Sequence, residues 1–188
     1  MKATRLLLFS MVCLLAGAVA AAAQQAAPAP AEGPAKEVLR LWNSTHKKIV
    51  EMAEDFPEDK YDFRASSWSE VRTFAEQLLH VAGTNDFFIK SAQGKPANEE
   101  DLPRSQYRTK AEVVAALKKS VEEGAALIQQ TGDKGMMKPI KSPFGNRMFS
   151  RYYFWTIAAE HSAEHYGQLV VYYRLNKLVP PASRPRPQ

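Results

Sequence analysis

Apolar residues recur every three or four positions in four segments of the chain, which is the spacing of one face of an α-helix. The segments cover about 34–55, 68–92, 110–130 and 148–177. The first opens with Pro34, a residue favoured in the first turn of a helix. Its apolar positions are Val38, Leu41, Trp42, Ile49 and Met52. The pattern therefore predicts four helices.

Local signals mark the ends of these predicted helices. Ser67 with Glu70, and Thr109 with Glu112, have the spacing of a capping box, in which a hydroxyl residue and a glutamate three positions later each accept a bond from the other's backbone amide. They predict that the second and third helices begin near positions 68 and 110. The fourth helix is expected to stop before the proline pair at 180–181, because proline has no amide hydrogen to donate.

A long link of about fifteen residues, 94–108, separates the second and third helices. Extended, such a link reaches ~50 Å, which exceeds the ~38 Å length of a helix of about 25 residues. It is long enough to cross along a bundle and leave these two helices parallel. We find no alternating strand pattern of useful length and no repeat, so the expected fold is all-α, most simply a four-helix bundle.

The first residues show the three parts of a secretory signal peptide. They are Lys2 and Arg5, an apolar run of about a dozen residues, and small residues before an expected cleavage after Ala23. An uncleaved membrane anchor is the alternative, but the run is shorter than the ~20 residues that a span needs. We therefore expect a signal peptide at 1–23 and an exported protein, periplasmic or secreted, with no stable membrane span after its removal.

Composition divides the rest of the chain into a linker at 24–33, a single helical domain at 34–179 and a proline- and arginine-rich disordered tail at 180–188. The 188 residues are 45% hydrophobic and 24% charged, which suits one soluble domain with a core. Removing the signal peptide lowers the net charge from +5 to +3. The remaining basic residues are mixed with acidic ones, so nucleic-acid binding is not expected.

Cys13 is the only cysteine, and it lies inside the predicted signal peptide. The mature protein would then have no thiol to form a disulfide, act as a nucleophile or bind a metal. Any bound metal must therefore rest on nitrogen and oxygen ligands.

Two histidines, His161 and His165, lie one helical turn apart in the fourth segment. At ~100° per residue they lie within about 40° of each other on the apolar face. Other residues of that face are Phe154, Ile157, Ala158, Leu169 and Tyr172. Such a pair is either two hydrogen-bonded core histidines or half of a metal site, because a shared cation would give both neutral imidazoles a partner.

His80 is a candidate third ligand on the second helix, off the main apolar stripe, and a surface imidazole is the alternative. If the second and fourth helices are neighbours, His80 completes three nitrogen ligands and leaves a fourth position for water, the open type of zinc site. His46 follows a polar stretch of the first helix, and we interpret it as exposed to solvent or as a hydrogen-bond partner of a ligand.

Two stretches resemble the signature regions of the DinB-like (DinB/YfiT) superfamily: VRTFAEQLLHVAGTNDFF at 71–88 and HSAEHYGQLVVYYRLNKLVPPAS at 161–183. The likeness covers about 36–179. It implies a four-helix bundle with up-down-down-up connectivity and long crossover links, a metal triad that maps onto His80, His161 and His165, and a homodimer. The implied cofactor is a divalent metal, zinc first, with nickel, iron or manganese open.

The resemblance implies several reactions on a small-molecule substrate. Relatives include S-transferases that use bacillithiol or mycothiol, a thiol-dependent maleylpyruvate isomerase and proteins assigned as metal-dependent hydrolases. Because such thiols are mainly cytosolic, export favours metal-dependent hydrolysis or group transfer over thiol transfer. The rival is a non-enzymatic stress or binding protein with a structural metal or none. A fourth protein ligand would close a structural site, whereas a catalytic site stays open.

A general base for hydrolysis has two candidates, Glu164 beside the histidine pair and Glu76 one turn before His80. Each is alternatively a surface charge or a partner that orients an imidazole. Residues 161–165 also match the H-x-x-E-H pattern of inverzincin peptidases. Those enzymes take a third, acidic ligand from well downstream, but the 23 residues after His165 contain no Asp or Glu, which argues against this class.

Two further features have open roles. The aromatic cluster 152–155, with Tyr166, Tyr172 and Tyr173, either lines a substrate cavity or belongs to the core or a dimer interface. The loop 138–147 either covers one end of the site and attracts an anion, or is a connector. Its cations are Lys138, Lys141 and Arg147.

Overall fold

The computed structural model of the protein describes residues 32–185, so the predicted signal peptide and nearly all of the linker lie outside the described residues. Four α-helices dominate the described part, as the sequence predicts: α1 Pro34–Asp55, α2 Phe74–Ala92, α3 Lys110–Met136 and α4 Arg151–Leu175. Two strands of three residues, β1 Pro139–Lys141 and β2 Met148–Ser150, and two single 3₁₀ turns, Glu58–Lys60 and Pro181–Ser183, complete the elements. None of the described helices is both long and apolar enough to span a bilayer.

The start of α2 differs from the prediction. Its capping box is formed by Thr73 and Glu76, and the proposed pair at 67 and 70 is wrong. Glu76 Oε2 accepts a bond from the Thr73 amide at 2.6 Å, and Thr73 Oγ1 accepts one from the Glu76 amide at 3.2 Å. An antiparallel bridge between Arg64 and Thr73 determines where α2 begins, because it holds the backbone of Thr73 in an extended conformation until the residue before the helix. Residues 68–73 are therefore not helical.

The start of α3 agrees with the prediction, since Thr109 and Glu112 form a capping box. The helix continues past the predicted end to Met136 and is interrupted at Gly132, whose φ of 59° lies in the left-handed region. α4 begins three residues later than predicted, at the N-cap Ser150, because 148–150 pairs with 139–141 in an antiparallel hairpin. Strands this short leave no alternation for sequence analysis to detect.

Contacts at the helix ends give the direction of each neighbour of α1. Ala35 N donates to Asp133 Oδ1 at 3.0 Å, which places the start of α1 beside the end of α3, so these two helices are antiparallel. Trp42 packs on Trp155 near the starts of α1 and α4, with 5.4 Å between ring centroids. Tyr173 Oη near the end of α4 donates to the carbonyl of residue 52 near the end of α1 at 2.8 Å. α1 and α4 are therefore parallel.

α2 runs antiparallel to α4. Phe88 near its end packs on Phe154 near the start of α4, with 5.3 Å between centroids, and Tyr172 near the end of α4 donates to the Arg72 carbonyl just before α2. α2 and α3 must then be parallel. The connectivity is up-down-down-up, as expected.

The crossover link between α2 and α3 passes directly over α2 at Gly83. A Cβ on Gly83 would overlap the carbonyl oxygen of Glu100, so the close approach depends on the missing side chain. The link is thereby held against the helix that carries His80.

The core consists of two apolar clusters with a polar layer between them. One cluster includes Ile49, Phe56, Phe74, Leu78 and Tyr173, and the other includes Trp42, Phe88, Ile128, Phe154 and Trp155. We define the polar layer as His46, Asn85, Ser120 and Ser162, one residue from each helix, all buried.

His46 is fully buried in the polar layer, so the prediction of a solvent-exposed side chain is wrong. Its Nδ1 donates to the Trp42 carbonyl at 2.9 Å, and its Nε2 lies 3.1 Å from Asn85 Oδ1 and 3.2 Å from Ser162 Oγ. These neighbours come from three helices and enclose the imidazole, although the residues next to it in the sequence are polar.

The end of the chain is ordered further than predicted. Pro181–Ser183 forms a 3₁₀ turn, and Arg184 binds Asp55 through two hydrogen bonds of 2.8 and 2.5 Å. The prediction of a disordered tail from 180 onward is therefore wrong for residues 180–185, and 186–188 lie outside the described residues.

Candidate metal centre

Three imidazoles converge between α2 and α4. His161 and His165 lie one turn apart on α4, and the antiparallel α2 places His80 opposite them. The Nε2 atom of His161 lies 3.3 Å from Nε2 of His80 and 3.0 Å from Nε2 of His165. The structure thus brings together all three histidines that the sequence analysis selected.

Burial favours the neutral form of His161 and His165. It lowers the pKa of His165 to about 3, and the neighbouring His161 and His80 lower it further by charge repulsion. Burial also lowers the pKa of His161. Neutral rings present a nitrogen lone pair, which is the form that binds a metal.

A carboxylate of the crossover link orients His80. Asp101 Oδ1 accepts a hydrogen bond from His80 Nδ1 at 2.6 Å, and Arg72 Nε donates to Asp101 Oδ2 at 2.7 Å. Burial alone would raise the pKa of Asp101, but the bonds from Arg72 and His80 outweigh it and lower that pKa. The ionised carboxylate fixes the proton of His80 on Nδ1, so the lone pair of Nε2 faces the other histidines.

Gln77 is the neighbour of Nδ1 of His165, as Asp101 is of Nδ1 of His80. Its side-chain amide lies 2.9 Å from His165 Nδ1 and also contacts the amide of Gln168. The atom placed beside Nδ1 is the amide nitrogen, a donor. A metal on Nε2 of His165 requires the flipped amide, whose oxygen accepts the proton of Nδ1. His165 Nε2 is then free to act as a ligand.

The spacing of the ligand atoms fits a small divalent cation. Zinc–nitrogen bonds of ~2.0–2.1 Å in a tetrahedron place two nitrogens ~3.3–3.4 Å apart. The measured Nε2 separations of 3.3 and 3.0 Å are close to this value. Three imidazoles suit zinc, nickel or iron, whereas manganese prefers more oxygen ligands. Within residues 32–185, no fourth His, Cys, Asp or Glu joins the group. A zinc ion held by three protein ligands would keep its fourth position for water or substrate.

His161 also lines a cleft of about 190 Å³ beside the three histidines. The buried residues Thr84 and Phe88 form its floor. The other residues that line it are Glu99, Phe144, Ile157, Glu160 and Glu164. The cleft therefore reaches the histidine group at His161, the one member of the three that lines it.

The two candidate bases have different surroundings. Glu164 lines the cleft with His161, where a general base would be useful. The carboxylate of Glu76 is engaged in the capping box of α2 and lies 3.5 Å from Arg64 Nη2, which gives it a structural role at the helix start.

The loop 138–147 covers one end of the site through the tip of its hairpin. Phe144 lines the cleft, with 6.2 Å between its ring centroid and that of Phe88. None of the three loop cations lines this cleft. Lys141 instead lines a separate surface depression with Lys95.

The aromatic cluster divides between core and surface. Phe154 and Trp155 are fully buried in one apolar cluster and Tyr173 in the other, which confirms the core interpretation for these rings. Tyr153 is exposed.

Sequence reasoning missed Asp101, Gln77 and Thr84. Asp101 lies in an acidic stretch of the crossover link that has no periodicity, and only the fold shows that the link returns to His80. Gln77 and Thr84 had a detectable signal, since they lie three residues before and four residues after His80 on the same helix.

Comparison with known proteins agrees with this architecture. The family model of the DinB superfamily matches residues 41–169, which include all three histidines. YfiT from Bacillus subtilis, whose structure is described as that of a probable metal-dependent hydrolase with an unusual four-helix bundle topology, is 14% identical, with a TM-score of 0.60 over 81% of this chain and 94% of YfiT.

Two further solved structures share the fold. A DinB-like protein of B. subtilis, YjoA, is 17% identical, with a TM-score of 0.57 over 76% of this chain and 93% of YjoA. An uncharacterised protein of Escherichia coli UTI89 is 14% identical, with a TM-score of 0.60 over 77% of this chain and 95% of its own. No curated protein is significantly similar in sequence. At these identities the structures establish the fold alone. The family match spans well over half of the chain, and the protein belongs to the DinB superfamily.

Proposed function

We propose that the protein is a metal-dependent hydrolase, or a group transferase of the same type, that acts on a small molecule. The observation that supports this proposal most directly is the convergence of three imidazole Nε2 atoms beside a cleft, with no fourth ligand among the described residues. A structural metal site would be closed by protein, so the open side favours catalysis over a purely structural metal.

Different residues bind the metal, orient its ligands, accept a proton and position the substrate in this proposal. His80, His161 and His165 would hold the cation, while Asp101 and Gln77 orient two of these rings. When bound, a divalent cation supplies Lewis acidity, which lowers the pKa of water and polarises the bond under attack. Glu164 on the cleft accepts the proton of the attacking group in this proposal, and the apolar floor at Phe88 positions the substrate.

The predicted export supports hydrolysis rather than thiol transfer. A protein outside the cytoplasm meets water but little bacillithiol or mycothiol, and the mature chain would have no cysteine of its own. We therefore place the reaction in the periplasm or outside the cell.

Elemental analysis of the purified protein tests the metal requirement. We expect about one equivalent of metal in the parent, and none in His80→Ala or His165→Ala. His46→Gln is the matched control, because it removes an imidazole that lies outside the triad, and it should retain the metal. Metal-free parent protein, or equal metal content in all variants, would refute the proposal.

A second measurement tests catalysis. The metal-loaded protein is assayed against a panel of small esters, amides and phosphoesters, and Glu164→Gln is compared with the parent on any substrate that is turned over. We expect kcat to fall by roughly 10²–10⁴-fold, the contribution of a general base, at unchanged metal content. An unchanged kcat would show that Glu164 is a surface charge and not the general base.

A further inference from the structure

The cleft beside the histidines is strongly acidic. Three carboxylates line it, those of Glu99, Glu160 and Glu164, and no Lys or Arg between 32 and 185 does. None of the three forms an ion pair or a hydrogen bond with another residue in the part of the chain that the structure describes. Carboxylates gathered at the mouth of an apolar cleft concentrate field lines there and attract a positively charged solute.

Thr84 on the floor of the cleft lacks a hydrogen-bond partner. Its side chain is 1% exposed, and its Oγ1 makes no hydrogen bond to any residue within 32–185. An unsatisfied buried hydroxyl costs roughly 1–3 kcal/mol, so it normally has a partner. A polar group of a molecule bound in the cleft would provide it, which is an indication of a ligand independent of the acidic residues.

Aromatic rings complete the cleft. Phe88 is buried on the floor, with 6.0 Å between its centroid and that of His161, and Phe144 is half exposed at the wall. Aromatic faces attract organic cations through their quadrupole, and they accommodate apolar groups that a simple metal ion does not have. The volume of about 190 Å³ is smaller than the ~300–1,000 Å³ of sites for drug-sized ligands.

We propose that this cleft selects a small organic cation. Its ammonium group is held by Glu99 and Glu160, its apolar body lies against Phe88 and Phe144, and a polar group reaches Thr84. The carboxylates are exposed at the mouth of the cleft, whereas Thr84 is buried on its floor. The cationic end of the bound molecule therefore lies at the mouth, and its polar group lies on the side of His161. This inference names the substrate class of the proposed enzyme and in that respect rests on the proposed function.

A matched pair of esters tests the role of charge. Acetylcholine and 3,3-dimethylbutyl acetate have nearly the same shape and differ in one positive charge. Binding of each to metal-free protein is measured by NMR titration in 10 mM and 500 mM NaCl. We expect acetylcholine to bind at least about ten-fold more tightly at low salt, and the difference to shrink at high salt as the charges are screened.

Variants assign the preference to the named residues. The double change Glu99→Gln/Glu160→Gln should reduce the preference for acetylcholine to about two-fold, whereas Glu122→Gln on the exposed face of α3 should leave it unchanged. Thr84→Val should weaken both esters by about five-fold without lowering the stability of the protein, because the hydroxyl it removes has no partner among residues 32–185.

Each outcome decides the proposal. Equal affinity for the two esters, or a preference that survives the double change, overturns it. Because these titrations use metal-free protein, they are independent of metal binding. A preference for the charged ester in a protein that binds no metal would refute the proposed function but not the cation site. Metal binding without a preference for the charged ester would refute the cation site alone.

Discussion

Replacing Asp101 by asparagine should weaken metal binding without unfolding the protein. The carboxylate of Asp101 accepts a bond of 2.6 Å from His80 Nδ1, and asparagine keeps an oxygen there but removes the charge. A hydrogen bond to a charged group contributes ~1.5–3 kcal/mol, against ~0.5–1.5 kcal/mol for a neutral one. The Asp101 side chain is 43% exposed, so we take the lower end of both ranges. The difference of about 1 kcal/mol corresponds to about a five-fold loss of metal affinity.

The assay is a competition titration of zinc between the protein and a chromophoric chelator at pH 7.5. Asp62→Asn is the control, since Asp62 also pairs with an arginine, with a bond of 2.9 Å from Arg104 Nε, but has no contact with the histidines among the described hydrogen bonds. It should leave the Kd unchanged. An Asp101→Asn protein that binds zinc within two-fold of the parent would refute the view that this carboxylate orients His80.

Three further predictions concern stability, measured by urea unfolding. Gly83→Ala should destabilise the protein by about 1–3 kcal/mol, because the new Cβ overlaps the Glu100 carbonyl. The control Gly167→Ala, whose Cβ has no neighbour within 4 Å among the described residues, should stabilise α4 by up to ~1 kcal/mol. Equal effects of the two changes on the free energy of unfolding would contradict the close packing of the link. Burial lowers the pKa of His46 below 6.5, so below that pH the unfolded chain binds the proton first and stability falls. In metal-free protein, His46→Gln should reduce the loss of unfolding free energy between pH 7 and 5 by at most ~1.4 kcal/mol per pH unit. An unchanged dependence of stability on pH would contradict a neutral His46. The hydrogen bond from Arg184 lowers the pKa of Asp55 below 3.8, so its stabilisation is present above that pH and is lost as the pH falls through the lowered value. Asp55→Asn should therefore cost about 0.5–1 kcal/mol at pH 7 and progressively less as the pH falls below 3.8, and a cost that does not change with pH would exclude the ion pair as its source.

Helices with strong local signals were predicted well. The bounds of α1 follow from Pro34 and the apolar period, and the start of α3 follows from its capping box. The start of α2 was not predictable in the same way, because two capping signals occur six residues apart and the bridge between Arg64 and Thr73 decides between them. Long-range pairing of this kind leaves no local pattern in the sequence.

The candidate site was predicted in part for a similar reason. Histidines one turn apart on an apolar face are visible in the sequence. His80 was a third candidate that depended on the second and fourth helices being neighbours, and the resemblance to the family implied the same triad. The burial of His46 depends on partners from two other helices, and the role of Asp101 depends on the path of the crossover link. Neither follows from spacing along one helix.

The separation of the ligands along the chain has a consequence for how the protein acquires its cation. His80 and His161 are 81 residues apart, and the last two ligands lie on the final helix. A nascent chain therefore lacks the complete group of three histidines, and in the proposed metal site an ion would be captured only after the fourth helix has docked. Occupancy then reports that folding is finished, and a fragment that lacks α4 should not compete with other proteins for scarce metal.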